Sequence, residues 1–305
     1  MSERPKDGEV LIALMGITGA GKTTFVSVAS GRTDLNIGYG VDPCTQIPQA
    51  IPMELDGYRI KLIDTPGFDD DARTDVEIME DVGRWLVKEG YVKGHQMDGL
   101  ILLQPITYNR VGGSERRRTR LLQKILGNDA YKRVVIATTM WDDINNPEAM
   151  QARLDARSKE GGVWGDMCRG GATVLRHDNN QESAHRIIRT IIEQSKKYGK
   201  MKPSVQLELM ANNGRVVETA AGKELQDQLE KEIEFIMDQI HEHNRDRPSE
   251  RSRRSKDPVR KRRVREWDQE KQDLMRNLER RQSQLKKLRS LTVRVRSFLS
   301  RLFGA

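Results

Sequence analysis

Cysteine is scarce in this 305-residue chain: Cys44 and Cys168 are the only two. That excludes a disulfide scaffold, and their separation excludes a paired-thiol metal site. A reducing compartment is the expected setting. Long apolar runs are also missing, since no stretch approaches the roughly 20 residues needed to cross a bilayer, and the opening MSERPKDGEV has no apolar core of a secretory leader. The expected location is therefore cytoplasmic, with peripheral membrane attachment left open. Aromatic residues make up 5% and hydrophobic residues 36% against 32% charged, too polar for one compact globule of this length. Part of the chain is expected to be extended.

Charge is what the chain has in excess, and it is unevenly placed. Of the overall net charge of +8, residues 241–305 carry 21 Lys+Arg against 9 Asp+Glu, a local +12, leaving −4 for residues 1–240. A slightly acidic body thus precedes a basic tail.

Within the body, VLIALM (residues 10–15) is a continuous apolar run, as a strand buried on both faces of a parallel sheet requires. Similar runs fall at 59–63, 99–103, 133–138 and 172–175. Helical periodicity separates them: Ile78, Val82, Trp85 and Leu86; Leu121, Leu122 and Ile125; Ile187, Ile188, Ile191 and Ile192. The alternation predicts a three-layer α/β/α domain with a mostly parallel sheet over residues 8–200. Pro48 and Pro52 make residues 47–55 an edge strand. Beyond Pro203, Leu225, Leu229, Ile233, Ile236 and Ile240 predict an amphipathic helix within residues 201–240. Residues 241–265, basic and poor in large apolar groups, read as a disordered hinge. Leu274, Leu278, Leu285, Leu288, Val295, Leu299 and Leu302 then fit steps of four and three over residues 266–305, with Arg281 and Thr292 in the two other seam positions, as in a coiled coil or packed hairpin.

The chemistry-bearing string follows the first strand. GITGAGKTT, Gly16 to Thr24, matches G-x-x-x-x-G-K-[ST] and opens into a predicted helix. Such a loop cradles phosphates on backbone amides at the positive end of a helix; the alternative is a glycine-rich turn that happens to hold a lysine. Thr18, Gly19, Ala20 and Gly21 would wrap the phosphates, Lys22 would reach the β- and γ-phosphates, Thr23 would ligate Mg²⁺ and Thr24 could touch the α-phosphate. DTPG, Asp64 to Gly67, ends the strand RIKLI, so Asp64 would hold the Mg²⁺ through water while the Gly67 amide faces the γ-phosphate. Thr45 is the first candidate for the switch threonine that completes the coordination, with Thr33 as competitor and a surface-loop role as the third reading. Thr139-Met140-Trp141-Asp142 has the first and last members of the guanine-reading pattern Asn/Thr-Lys-x-Asp, but Met140 stands where lysine packs along the base. Met140 or Trp141 could line the apolar face of the ring. Asp142 either accepts from guanine or caps the helix beginning near Pro147.

With these motifs in this order, residues 8 to about 200 resemble the septin-like branch of P-loop GTPases, in particular the avirulence-induced or immunity-associated family, and among them divergent fungal-type G-domain proteins. The segments LIDTPGFDD and TTMWD carry the likeness. It implies a Ras-like fold, GTP/GDP and Mg²⁺ as cofactors, and an asparagine in the loop on the guanine side. Asn179, in RHDNN, matches that position, although capping of the next helix accounts for the same residues. Phe68 occupies the place of the water-orienting glutamine of small Ras-like enzymes, so intrinsic hydrolysis is expected to be slow. The family also pairs across the nucleotide face. Arg110, in QPITYNRVGGSERRR, is then a candidate arginine finger supplied in trans; a solvated basic loop with a helix start at 116–118 explains it equally.

The tail has three readings: a coiled-coil or hairpin partner surface, an anionic membrane surface met by residues 285–303, and nucleic acid met by Arg260 to Arg265. For the whole chain, a slow GTPase acting as a switch or assembling scaffold stands beside a P-loop ATPase and a nucleotide-clamped structural protein.

Overall fold

The computed structural model describes residues 9–34, 49–65, 74–87, 96–107, 111–141, 146–246, 248 and 257–293. Thr45, Gly67, Phe68, Arg110 and Asp142 lie outside these residues. Six strands form one sheet: β1 (Glu9–Gly16), β2 (Gln49–Leu55), β3 (Tyr58–Asp64), β4 (Gly99–Pro105), β5 (Val134–Thr139) and β6 (Thr173–Arg176), in spatial order β2-β3-β1-β4-β5-β6. All neighbours are parallel except β2, which pairs antiparallel with β3 at the edge. Pro52, which lacks an amide hydrogen, is tolerated on that edge strand.

Alternation within β1 divides the core. Val10, Ile12 and Leu14 face one layer, containing α1 (Lys22–Ser30) and α6 (Gln181–Tyr198); Leu11, Ala13 and Met15 face the other, containing α2 (Asp75–Val87) and α3 (Gly113–Leu126). The expected isoleucine stripe of α6 is buried throughout, as are Ile78 and Val82 of α2. Helix α2 starts on a capping box: the Thr74 amide donates to Glu77 Oε2 (3.0 Å) and the Glu77 amide donates to Thr74 Oγ1 (3.3 Å). Helix α3 begins at Gly113, ahead of the basic triplet expected to start it. Two further helices, α4 (Pro147–Ser158) and α5 (Gly165–Arg169), lie between β5 and β6.

The region after Gly199 does not form a detached arm. Helix α7 (Ser204–Ala211), α8 (Ala220–Arg245) and α9 (Pro258–Ser290) add an outer layer over α2 and α3, and their buried residues join the core on that side of the sheet. Val205, Leu209, Leu225 and Leu229 are buried there, as are Leu285, Leu288, Leu291 and Val293. Lys287 Nζ also pairs with Glu77 (3.2 Å) and Glu80 (3.4 Å) of α2.

Two expectations for the tail change. Much of the span assigned to a hinge, 241–265, is helical among the described residues: α8 continues to Arg245, and α9 starts at Pro258 with Asp257 accepting from the Val259 amide. Proline is suited to that first-turn position, so Pro258 begins a helix rather than interrupting one. The helix assigned to 266–305 stops at Ser290. Thr292 then makes an antiparallel bridge with Arg215, and the Val293 amide donates to Gly214 O (2.8 Å). The seam from Leu285 to Leu288 is thus used within the chain, which removes it as a membrane-facing stripe; residues 294–305 lie outside the described ones.

Candidate functional site

The carboxyl ends of β1, β3 and β5 bring the motif residues to one edge of the sheet, where ligands gather in open α/β folds. The chain leaves β1 at Gly16, whose replacement by any residue with a Cβ would place that atom 2.5 Å from Leu103 O on β4. Gly21 then holds φ 90° immediately before α1, a left-handed value that favours glycine. Among the described residues no side chain caps this helix start, and Thr18 Oγ1 is buried without a hydrogen-bond partner. The first amides of α1 and a hydroxyl therefore surround a recess that suits an anion. Lys22 is buried and its ammonium donates to the carbonyls of Ile17 (2.8 Å) and Gly16 (3.1 Å). This loop fits a polyphosphate.

Thr23 Oγ1 donates to Asp64 Oδ2 at 2.9 Å, joining the start of α1 to the end of β3. Asp64 is 3% exposed. A hydroxyl and a carboxylate at this distance are hard oxygen ligands of the type Mg²⁺ takes, together with phosphate oxygens and water. Among the described residues no group of three His, Cys, Asp or Glu side chains could hold a metal. Thr23 and Asp64 thus supply two oxygen ligands, and phosphate oxygens and water are of the type to add to them. The next residue, Thr65, donates through Oγ1 to Leu14 O (2.5 Å) and fixes the departure of the chain from the sheet.

The base side is built from β5 and β6. Thr139 Oγ1 donates to Ala20 O (3.1 Å), so the end of β5 is tied directly to the phosphate loop. Met140 adopts φ 62°, is 37% exposed, and accepts at its sulfur from Thr107 Oγ1 (3.9 Å). Trp141 is buried against Ile106 and Met150, its indole donates to Thr138 O (3.0 Å), and the Arg176 guanidinium lies 4.6 Å from its ring centre. Met140 is left as the apolar wall candidate. Helix α4 is capped by Asn146, which accepts from the Ala149 amide (3.0 Å), so the capping role weighed for Asp142 is filled by another residue.

The same distinction applies after β6. Asn180 caps α6 by accepting from the Ser183 amide (2.9 Å), whereas Asn179 is exposed at φ 52°, a conformation asparagine tolerates. Beneath this turn His177 is buried, with Nδ1 2.9 Å from Ser183 Oγ and its ring against Phe25 of α1. Burial pushes its pKa down to about 4, and the nearby Arg186 lowers it further while Asp178 opposes both. His177 escaped notice in the sequence because an isolated histidine after a short strand carries no local pattern. Thr33 follows α1 and sits beyond its far end, with about 10 Å of helix between Thr23 and Ser30. It is therefore not a ligand of the same cation.

Residues 11–139 match the family described as 50S ribosome-binding GTPase. A curated relative, GTP-binding protein A of Dictyostelium discoideum, is 24% identical over 131 residues, covering 43% of this chain and 28% of that protein's length. Similar folds include Toc33 from Arabidopsis thaliana in complex with Mg²⁺ and GMPPNP, at TM-score 0.51 and 14% identity over 63% of this chain and 86% of the other. The dimerization-deficient variant of Toc33 aligns at TM-score 0.51 and 14% identity, over 64% and 87% of the two chains.

Proposed function

We propose that the chain carries a P-loop GTPase domain that binds Mg²⁺·GTP, hydrolyses it slowly, and changes its assembly state with the nucleotide. The observation that carries this reading is the connected set Lys22, Thr23, Asp64 and Thr139, in which the phosphate loop is linked to one strand through Thr23 and to another through Thr139. When bound, Mg²⁺ would neutralise phosphate oxygens as charge shifts toward the leaving group. The protein's own contribution is positional. The start of α1 presents amides to the phosphates, Lys22 adds a positive charge, and Thr23 with Asp64 orients the cation side.

Proposed together with this is a homodimer across the nucleotide face. Toc33 supports the idea by analogy, since dimerization is important for the GTPase activity of the chloroplast translocon components atToc33 and psToc159. Arg110 supplied in trans could then contribute about 10³ to 10⁵ in rate, offsetting the lack of a water-orienting glutamine at Phe68. Thr45 as switch ligand, the Gly67 amide at the γ-phosphate, and Asp142 with Asn179 at guanine complete this reading.

Equilibrium binding of GTP, GDP and ATP, followed by phosphate release at increasing protein concentration, tests it. GTP and GDP should bind in preference to ATP, with turnover rising as the protein is concentrated. A preference for ATP would establish the alternative that Met140 leaves open, and tight GTP binding without phosphate release would establish a nucleotide-clamped structural protein. Lys22→Ala should weaken nucleotide binding by roughly 10- to 100-fold, the value of a charge-assisted contact.

A further inference from the structure

We propose that the free end of the α8–α9 hairpin is a binding surface for the phosphodiester backbone of nucleic acid. The two helices run antiparallel: Trp267 Nε1 donates to His243 O (3.1 Å) with the two rings stacked at 4.6 Å, and Arg281 pairs with Glu232 (2.9 Å) nearer the body. The root of the hairpin is fixed by Leu285 and Leu288. From Leu288 back to Arg260 the helix rises about 40 Å, so its first turns lie far from the GTPase core.

That remote end is strongly cationic. Arg260, Lys261, Arg262, Arg263 and Arg265 are all exposed, and Arg245 at the end of α8 is exposed as well. Asp257 approaches Arg260 at 3.7 Å and Glu266 pairs with Arg262 at 2.8 Å. Among the described residues no carboxylate pairs with Arg245, Lys261, Arg263 or Arg265. Helix energetics do not account for this placement. No acidic residue occupies the first turn of α9, and cations at a helix N-terminus oppose the macrodipole at a cost of about 0.3–1 kcal/mol each. The N-cap carboxylate of Asp257 already meets the helix end, so the excess arginine and lysine side chains are what an outside anion would meet.

The distribution favours a nucleic acid over a bilayer. Successive residues at 100° around a helix point in every direction, so residues 260–265 ring the helix instead of forming one flat face. A planar membrane would meet only part of that ring, whereas a grooved or folded phosphate backbone can meet several sides. Five of the six cations are arginine, whose planar donor fork suits phosphate oxygens. An apolar anchor is nearly absent: Val259 is 75% exposed, and Trp267 is stacked on His243. The contacts are electrostatic, and so independent of base sequence.

The full chain should be titrated against fluorescent RNA and DNA duplexes of unrelated sequence, by anisotropy, between about 50 and 200 mM salt. Binding is expected to both, with log affinity falling against log salt at a slope of about four to five. The triple substitution Arg260→Glu, Lys261→Glu and Arg263→Glu should weaken binding at least tenfold and reduce the slope by about three. The mid-helix pair Arg276→Glu and Arg280→Glu should leave the slope within about one of the unmodified protein if the site is confined to the tip. Unchanged helical circular dichroism and unchanged nucleotide affinity establish that each variant is folded, and they separate this outcome from any failure of the GTP reading. Equal binding by the tip variant, no duplex binding at low salt, or binding to phosphatidylserine vesicles alone would overturn the proposal.

Discussion

Thr23 bonds to Asp64, and Thr139 bonds to Ala20, across elements distant in sequence, and these bonds turn a motif into a site. His177 works differently, by occupying a buried place as a neutral ring. Its pKa falls to about 4 in the fold, below its ordinary value of 6.5. The unfolded chain therefore takes up a proton first, and the stability associated with neutral His177, complete above pH 6.5, is lost as the pH falls toward 4. Urea denaturation at a series of pH values should show this decline in the unmodified protein and a shallower one in His177→Gln. Such residues mark the limit of what the sequence discloses. The phosphate loop is legible because its chemistry needs adjacent residues in fixed order, and Asp64 because a strand end follows at the right interval. The burial of His177 depends on Phe25 arriving through tertiary packing, and the choice of Asn180 over Asn179 as cap rests on backbone conformation, with Asn179 at φ 52°.

At the scale of elements, periodic apolar stripes identified the strands and the helices α2, α3 and α6, because each faces the sheet along one side. The outer layer was less legible. Helix α7 has only Val205 and Leu209 buried and is eight residues long, too short for a clear stripe. Helix α9 is sparsely apolar, and its first turns are rich in charge, so composition suggested a hinge where Asp257 and Pro258 start a helix. Its C-terminal end nevertheless makes a real core contact. Leu288 is 0% exposed and sits in the cluster that also holds Ile78, Met79 and Val82 of α2. Leu288→Ala should cost about 2–5 kcal/mol, measured as a lowered denaturation midpoint, while Met275→Ala on the exposed face of the same helix should change stability by less than about 0.5 kcal/mol.

For the whole molecule, the α/β region and the helical extension share one hydrophobic core. The boundary expected near residue 200 is a boundary of pattern, since α6 ends at Tyr198, but not of packing. A fragment ending at Gly199 should therefore bind the apolar dye ANS and melt below the full chain, because the outer faces of α2 and α3 lose their cover. Equal melting of the two would show that the extension adds nothing to the core. The return of Leu291 and Val293 to Val216 and Gly214 has a further consequence for how the protein is made. Synthesis proceeds from the amino end, so the phosphate loop and all six strands leave the ribosome while the residues that close this side of the core are still unmade. Until then the nascent α/β domain carries an open apolar flank, and its final closure is tied to the late emergence of the segment that follows α9.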